Sequence, residues 1–187
     1  SDVYKRQGLK DKFVVGHVGR LHPQKNHDFL IDVFAEIKKE KPDAELILVG
    51  TGPLEEKVKS KVVEKGLSDC VHFLGNRKDM NRIYQAMDVF VFPSLFEGLG
   101  IVAIEAQAAG VPIVCSEGLP PETDITPIYQ KLLLSDGAEK WANVALEMAQ
   151  NLKAHTNMQQ YVIDAGFDMD ATAKYMESYY LNRWRTA

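Results

Sequence analysis

Residues 88–115 of the chain read DVFVFPSLFEGLGIVAIEAQAAGVPIVC, and this stretch decides the fold. Residues 88–92 are a nearly all-apolar run, which is typical of a strand buried on both faces. A helix is predicted from about residue 98 to residue 109, where Gly110 stops it, and residues 112–115 form the next strand. Two strands joined by a crossover helix pair in parallel, so the stretch predicts a βαβ unit.

The same rhythm of short β-rich runs and amphipathic segments extends in both directions from this unit. Leu30, Phe34 and Ile37 recur at helical spacing and predict a helix face that lies on a sheet. The whole pattern predicts an α/β fold, a Rossmann-like parallel sheet with helices on both faces. The other strands are expected at residues 13–18, 45–49, 71–74 and 128–134, and the other helices at residues 27–40, from Pro53 onward, at 78–87 and, last of two or three, near 171–184.

Length and composition indicate one ordinary globular domain. The 187 residues can bury a full hydrophobic core, and we expect residues 8–187 to form it. No apolar run approaches the roughly 20 residues that a membrane-spanning helix needs. The formal net charge of −4 argues against a nucleic-acid partner, which would need a broad basic face. Any anion site must therefore be local.

The cysteines and the first residues bear on compartment and on chain boundaries. Cys70 and Cys115 are far apart in sequence and each is beside a predicted strand, so we expect buried, reduced thiols. The first residues lack the apolar stretch of a signal peptide, and we expect a cytoplasmic location. Residues 2–7 resemble the translation of a sequencing adapter, so residues 1–7 are expected to be a non-native leader, with the native chain beginning further upstream.

Arg20 and Lys25 are the first candidate binding residues. Both lie in the loop that leaves the first predicted strand. In open α/β sheets ligands bind at the carboxyl ends of the strands, which is where this loop begins. Two cations there suit a diphosphate, since Arg grips phosphate oxygens and Lys supplies a point charge. The alternative is that both are solvated surface cations.

Glu97 and Glu105 are the second candidate pair, set around the glycines Gly98 and Gly100. If one helix carries both glutamates, the carboxylates lie roughly 12 Å apart along the helix axis and near the same face. The glycines would let the backbone approach a ligand, and the helix start would offer amides to a phosphate. Glu105 interrupts an apolar run and so needs a partner or a ligand. The alternative makes Glu97 a favourable charge at a helix start and Glu105 a core-edge residue paired to a cation.

Taken together, these residues resemble the retaining glycosyltransferases of the GT-B fold, in the large family 4 (glycosyl transferases group 1). The resemblance runs from about Val15 to Cys115. It rests on Gly19-Arg20-Leu21 with Lys25, Val49-Gly50-Thr51-Gly52-Pro53-Leu54, Phe73-Leu74-Gly75, Pro93-Ser94, and Glu97 with Glu105. The chain would then be the C-terminal, donor-binding half of a GT-B enzyme. Residues 116–124 lack the family's usual Gly-rich segment and resemble instead a branch that makes exopolysaccharides and capsules.

The resemblance implies a role for each candidate residue. Arg20 and Lys25 would hold the donor diphosphate and stabilise it as it leaves, and Glu97 would hold hydroxyls of the transferred sugar. Glu105 would take the ribose hydroxyls. Catalytic roles thus fall to Arg20, Lys25 and Glu97. The remaining donor contacts would come from Gly19 in the first loop, Asn76 and Arg77 beside the base, and the backbone of Gly98, Leu99 and Gly100.

No metal or other cofactor is predicted. Residues 168–170 fit an Asp-x-Asp pattern, but Asp170 stands before the last predicted helix and suits an N-cap. The five histidines show no ligand spacing supported by a cysteine or carboxylate cluster, so structural or surface roles are expected. No Gly-x-Gly-x-x-Gly follows the first strand, which argues against a nicotinamide dehydrogenase.

The expected activity is transfer of a hexose from a nucleoside-diphosphate sugar to a glycan or lipid-linked acceptor. The acceptor would be held by a missing N-terminal domain, toward which the helix near residues 171–184 would pack. The fragment alone is expected to bind donor without turnover, and peripheral association with the cytoplasmic membrane face would fit a lipid-linked acceptor. The alternatives are a nucleotide-sugar 2-epimerase or phosphorylase of the same fold, or a non-catalytic sugar-nucleotide-binding module.

Overall fold

A computed structural model of the chain describes Leu9, residues 12–152 and residues 155–167. Within them a six-stranded sheet has the order β3-β2-β1-β4-β5-β6, and every pairing is parallel. The strands are β1 (Val14–Val18), β2 (Glu45–Val49), β3 (Val71–Phe73), β4 (Val89–Phe92), β5 (Ile113–Ser116) and β6 (Tyr129–Leu132). The helices are α1 (His27–Glu40), α2 (Glu55–Glu64), α3 (Met80–Tyr84), α4 (Ile101–Ala108), α5 (Ala138–Asn151) and α6 (Gln159–Asp164).

Helices cover both faces of the sheet, because alternate side chains of each strand point to opposite sides. Val15, Leu46 and Val91 belong to the core cluster that contains the buried residues of α1, α2 and α5. Ile47 and Phe90 belong to a second cluster, which contains buried apolar residues of α3 and α4. The predicted fold class, a Rossmann-like parallel sheet with helices on both faces, is confirmed.

The strand order reverses between β1 and β4, which are direct neighbours with Val15 opposite Val89. β1 leads outward to β2 and β3, whereas β4 leads the other way to β5 and β6. In open α/β sheets the crevice outside the carboxyl ends of the strands at such a reversal is the usual ligand site. The loops that follow β1 and β4 are therefore the place to look for function.

Three helices begin later than the sequence predicts, among them α3, which is expected from residue 78 and begins at Met80. The helix expected from residue 98 is α4, which begins at Ile101, because Gly100 adopts a left-handed conformation with φ 69°. The helix expected to have Pro53 at its first position is α2, which begins at Glu55. Here the N–H of Leu54 donates to the carbonyl of Leu21 at 3.0 Å, which holds the preceding turn on the first loop. The other expected helices and strands that fall among the described residues are present, with ends shifted by up to three residues.

Other predictions from the sequence concern the cysteines, membrane-spanning helices and the two ends of the chain. Cys70 and Cys115 are buried free thiols, as predicted. No helix among the described residues combines the length and apolar character of a membrane span. The leader assigned to residues 1–7, the Asp-x-Asp pattern at 168–170 and the helix expected near 171–184 lie outside the described residues.

Candidate functional site

A largely shielded ion pair lies at the crevice between β1 and β4. Lys25 ends a short 3-10 turn, Pro23–Lys25, after β1, and Glu97 lies in the loop after β4. Lys25 Nζ is 2.6 Å from Glu97 Oε1, and the two side chains are 15% and 7% exposed. The ammonium also lies 4.8 Å from the centre of the Phe92 ring, a cation–π contact. Two of the predicted catalytic residues are thus in direct contact.

Backbone hydrogen bonds hold the loops that carry this pair. Leu95 N donates to the carbonyl of Gln24 at 2.8 Å, and Gln24 Nε2 donates back to the carbonyl of Phe96 at 2.8 Å. Glu97 N donates to the carbonyl of Gly118, in the loop after β5, at 2.9 Å. The segment that departs from the family pattern, residues 116–124, therefore supports Glu97 directly.

Two buried histidines lie next to Lys25. His17 Nδ1 donates to the carbonyl of Val91 at 2.9 Å, and its ring meets the ring of His27 edge-on with centroids 4.7 Å apart. Burial, with Lys25 adding to it, lowers the pKa of His27 to about 4. Burial and the neighbouring His27 hold the pKa of His17 well below its usual value. Both rings are therefore neutral at pH 7.

The glycine segment lies beside the ion pair and in front of α4. Gly98 and Leu99 are exposed, and a side chain on Gly98 would meet no atom within 4 Å. Gly100 is buried, and a Cβ on it would lie 3.8 Å from the Cβ of Glu97. The backbone before α4 is thus open to a ligand at Gly98 and packed against the protein at Gly100. Such a helix start can present free amides to an anion.

The two glutamates do not share a helix, which corrects the geometry expected for them. Because Gly100 ends the loop, only Glu105 lies in α4, and the helical separation of roughly 12 Å does not apply. Glu105 is exposed, and its Oε2 accepts a hydrogen bond of 2.8 Å from the hydroxyl of Tyr84. Tyr84 and Glu105 line an open groove of about 580 Å³ between α3, α4 and the segment 155–159. The partner expected for Glu105 is thus a buried tyrosine, which sequence reasoning missed.

The remaining predicted residues lie on the loops after β1 and β3. Arg20 and Asn76 are exposed, and Asn76 Oδ1 is 3.5 Å from Thr51 Oγ1. Arg77 forms a two-pronged ion pair with Asp79, at 2.9 and 2.8 Å. Gly19 N donates to the carbonyl of Val49 at 2.9 Å. These residues share the carboxyl edge of the sheet with Lys25 and Glu97. The Lys25 side chain packs over Gly19, where a Cβ would lie 3.1 Å from Lys25 Cδ.

Potential metal ligands are not clustered in the described part of the chain. No group of three or more His, Cys, Asp or Glu side chains lies close enough together there to hold an ion.

Comparison with known sequences gives one consistent family. The model of the family described as "Glycosyl transferases group 1" matches residues 2–166. The putative glycosyltransferase EpsF of Bacillus subtilis is 32% identical over 160 residues, which cover 84% of this chain and 42% of that protein. The D-inositol 3-phosphate glycosyltransferase of Corynebacterium jeikeium is 32% identical over 182 residues, covering 89% of this chain and 43% of that protein. This chain thus spans less than half the length of these relatives.

Solved structures share the fold over the same region. The sucrose-phosphate synthase of Thermosynechococcus elongatus superposes with a TM-score of 0.82 at 25% identity, covering 100% of this chain and 49% of that one. Alr3699/HepE of Anabaena, in complex with UDP and glucose, gives a TM-score of 0.75 at 24% identity, covering 92% of this chain and 51% of that one. The chain matches one half of each. The match of the family model to residues 2–166 shows that the chain belongs to the glycosyl transferases group 1 family.

Proposed function

We propose that this chain is the donor-binding half of a retaining GT-B glycosyltransferase of family 4, in the branch that makes exopolysaccharides and capsules. The observation that carries the proposal is the Lys25–Glu97 ion pair of 2.6 Å at the reversal of the strand order. It places a cation and a carboxylate side by side at the usual ligand crevice of an open sheet. A nucleoside-diphosphate sugar presents the complementary groups, a diphosphate and sugar hydroxyls.

The donor diphosphate would lie between the first loop and the start of α4. Arg20 is exposed and free to reach phosphate oxygens, and the Lys25 ammonium lies beside the same crevice. The open backbone at Gly98 and Leu99 would supply amides to the phosphates. As the bond to the sugar breaks, negative charge grows on the leaving diphosphate. Cations already fixed there stabilise that charge, an effect worth about 3 kcal/mol.

The two glutamates would hold hydroxyl groups at opposite ends of the diphosphate. Glu97, which lies beside Gly100, would accept hydrogen bonds from the transferred sugar. Glu105, one turn into α4, would accept them from the ribose. Asn76 and Arg77 would border the base, and Gly19 would let the first loop approach the phosphates. We assign no metal to the reaction, because Arg20 and Lys25 supply the positive charge.

Related sequences and similar solved structures support a nucleoside-diphosphate sugar as the donor. The Anabaena protein was crystallised with UDP and, in another crystal, with UDP-glucose. A Corynebacterium glutamicum relative, 33% identical over 159 residues, is named a GDP-mannose-dependent mannosyltransferase. Because both nucleotides occur among the related proteins, UDP and GDP are both candidates for this chain.

The rest of the enzyme would lie outside this chain. We propose a hexosyltransferase that is inactive as this fragment and whose N-terminal domain, packed against residues 171–184, presents a glycan or lipid-linked acceptor. We place it in the cytoplasm, with peripheral association at the membrane face for a lipid-linked acceptor.

Calorimetry of the 187-residue chain with UDP and with GDP tests donor binding. We expect one of them to bind equally well with Mg²⁺ and with EDTA, and Arg20→Met to weaken that binding about tenfold, since it removes a charged hydrogen bond. Lys59→Met is the matched control, because Lys59 on α2 contacts Glu55, Glu56 and the ring of Phe73, none of which is assigned to the donor. Failure of a folded sample to bind either nucleotide would overturn the proposal.

A further inference from the structure

The hydroxyl of Tyr84 lies 2.8 Å from Oε2 of Glu105. The ring of Tyr84 is 3% exposed and packs edge-on against Phe90, with centroids 6.2 Å apart. Glu105, in contrast, is exposed on the surface of α4. A side chain fixed in the core is thus bonded to one that faces solvent.

The direction of this hydrogen bond is fixed by the chemistry of its partners. A tyrosine hydroxyl carries one proton, and among the described residues the other acceptor near it is the carbonyl of Val102, at the longer distance of 3.4 Å. Burial and the adjacent carboxylate raise the pKa of Tyr84 well above its usual range, so the hydroxyl keeps its proton. Tyr84 therefore donates to Glu105, and the Glu105 carboxylate accepts.

We propose that Tyr84 is a positioning residue for nucleotide recognition, holding the Glu105 carboxylate in the orientation that accepts hydrogen bonds from the ribose hydroxyls. The inference rests on the proposed function and adds a residue to it. One carboxylate oxygen is held by Tyr84, which leaves Oε1 and the second lone pair of Oε2 for a ligand.

The reason for such a residue is conformational entropy. An exposed glutamate samples many rotamers, and ordering it on ligand binding weakens the affinity. A hydrogen bond from a side chain that is already fixed removes part of that cost before the ligand arrives. The gain in affinity should be confined to ligands that have ribose hydroxyls, because only those hydroxyls contact Glu105.

The test compares the nucleotide that the wild-type chain binds, UDP or GDP, with its 2′,3′-dideoxy form. We expect the wild type to prefer the ribonucleotide. Tyr84→Phe should reduce that preference about three- to tenfold, the usual range for one lost hydrogen bond, and leave the affinity for the dideoxy form unchanged. Glu105→Ala should abolish the preference in the presence or absence of Tyr84.

Tyr129→Phe is the matched control. Its hydroxyl lies 2.8 Å from Thr123 Oγ1, so the variant also loses the hydrogen bond of a buried tyrosine, but away from Glu105. Urea denaturation of both variants shows whether they fold equally well, and Tyr129→Phe should keep the wild-type preference for the ribonucleotide.

Three outcomes would overturn the inference while leaving nucleotide binding by this chain intact. They are a wild type that binds both forms equally, a Tyr84→Phe variant that keeps the full preference, and a Tyr84→Phe variant that weakens both forms alike. A wild type that binds neither UDP nor GDP would instead overturn the proposed function, and the inference with it.

Discussion

Lys25 Nζ lies 2.6 Å from Glu97 Oε1, although the two residues are 72 positions apart in the chain. The contact exists because β1 and β4 are neighbours in the sheet and their loops leave the same edge. Both side chains are largely shielded from water. Two opposite charges in one shielded site stabilise each other. The free energy of unfolding of single and double variants measures that interaction.

Removal of one member of the pair should destabilise the fold. Lys25→Met leaves the Glu97 carboxylate, 7% exposed, without its cation, and we expect a loss of about 3 kcal/mol in the free energy of unfolding. The double variant Lys25→Met, Glu97→Leu should recover most of that loss, because no unpaired charge remains. Urea denaturation measures both. A double variant no more stable than Lys25→Met would contradict the coupling.

Glu97→Gln should separate nucleotide binding from sugar binding. The substitution removes a negative charge beside Lys25, so the ammonium can interact more strongly with a diphosphate. We expect UDP, or GDP if that is the nucleotide bound, to bind about threefold or more tightly, as one altered charge contact allows. The extra affinity that the matching nucleotide sugar has over the free nucleotide should disappear. Equal weakening of both ligands would show that Glu97 acts only by holding the loop.

Much of this site could be predicted from the sequence. The βα rhythm identifies which residues follow each strand, and that is enough to select Arg20, Lys25, Glu97 and Glu105. Contact between Lys25 and Glu97 could not be derived in the same way, because it depends on which strands are neighbours. Strand order is a tertiary property, set by packing and not by local pattern.

The start of α4 was predicted wrongly for a local reason. Residues 98–100 suit a helix start by composition, but Gly100 takes a left-handed conformation with φ 69° and the helix begins after it. Tyr84 was missed for a different reason. The sequence predicts only that Tyr84 lies in an amphipathic helix. Its hydrogen bond to Glu105 depends on how α3 and α4 pack together.

Gly50→Ala should be far more destabilising than a similar change elsewhere. Gly50 has φ 128°, and a Cβ on it would overlap the carbonyl oxygen of Gly19, a backbone atom that has little freedom to move. We expect the free energy of unfolding to fall by more than about 3 kcal/mol, from backbone strain and overpacking together.

Gly66→Ala is the control, because Gly66 also has a positive φ, of 68°, but has no atom within 4 Å of the added carbon. Its cost should be about 1–2 kcal/mol, from strain alone. Thermal or urea unfolding that gives equal losses would show that the contact with Gly19 relaxes freely.

Stability should fall on mild acidification because of His27. The pKa of His27 is lowered from 6.5 to about 4 in the folded chain, first by burial and then by Lys25. Between these values the unfolded chain binds more protons than the folded one, so the free energy of unfolding decreases as pH falls through this window. From pH 7 to pH 5 the loss attributable to His27 is about 2 kcal/mol. His17, whose pKa is lowered in the same direction, adds to this loss of stability.

Urea denaturation at several pH values measures how steeply the free energy of unfolding changes with pH. His27→Leu should reduce that slope, because leucine takes up no proton. A variant with the wild-type slope would mean that His27 is protonated as readily in the folded chain as in the unfolded one, and that Lys25 lies beside a charged ring.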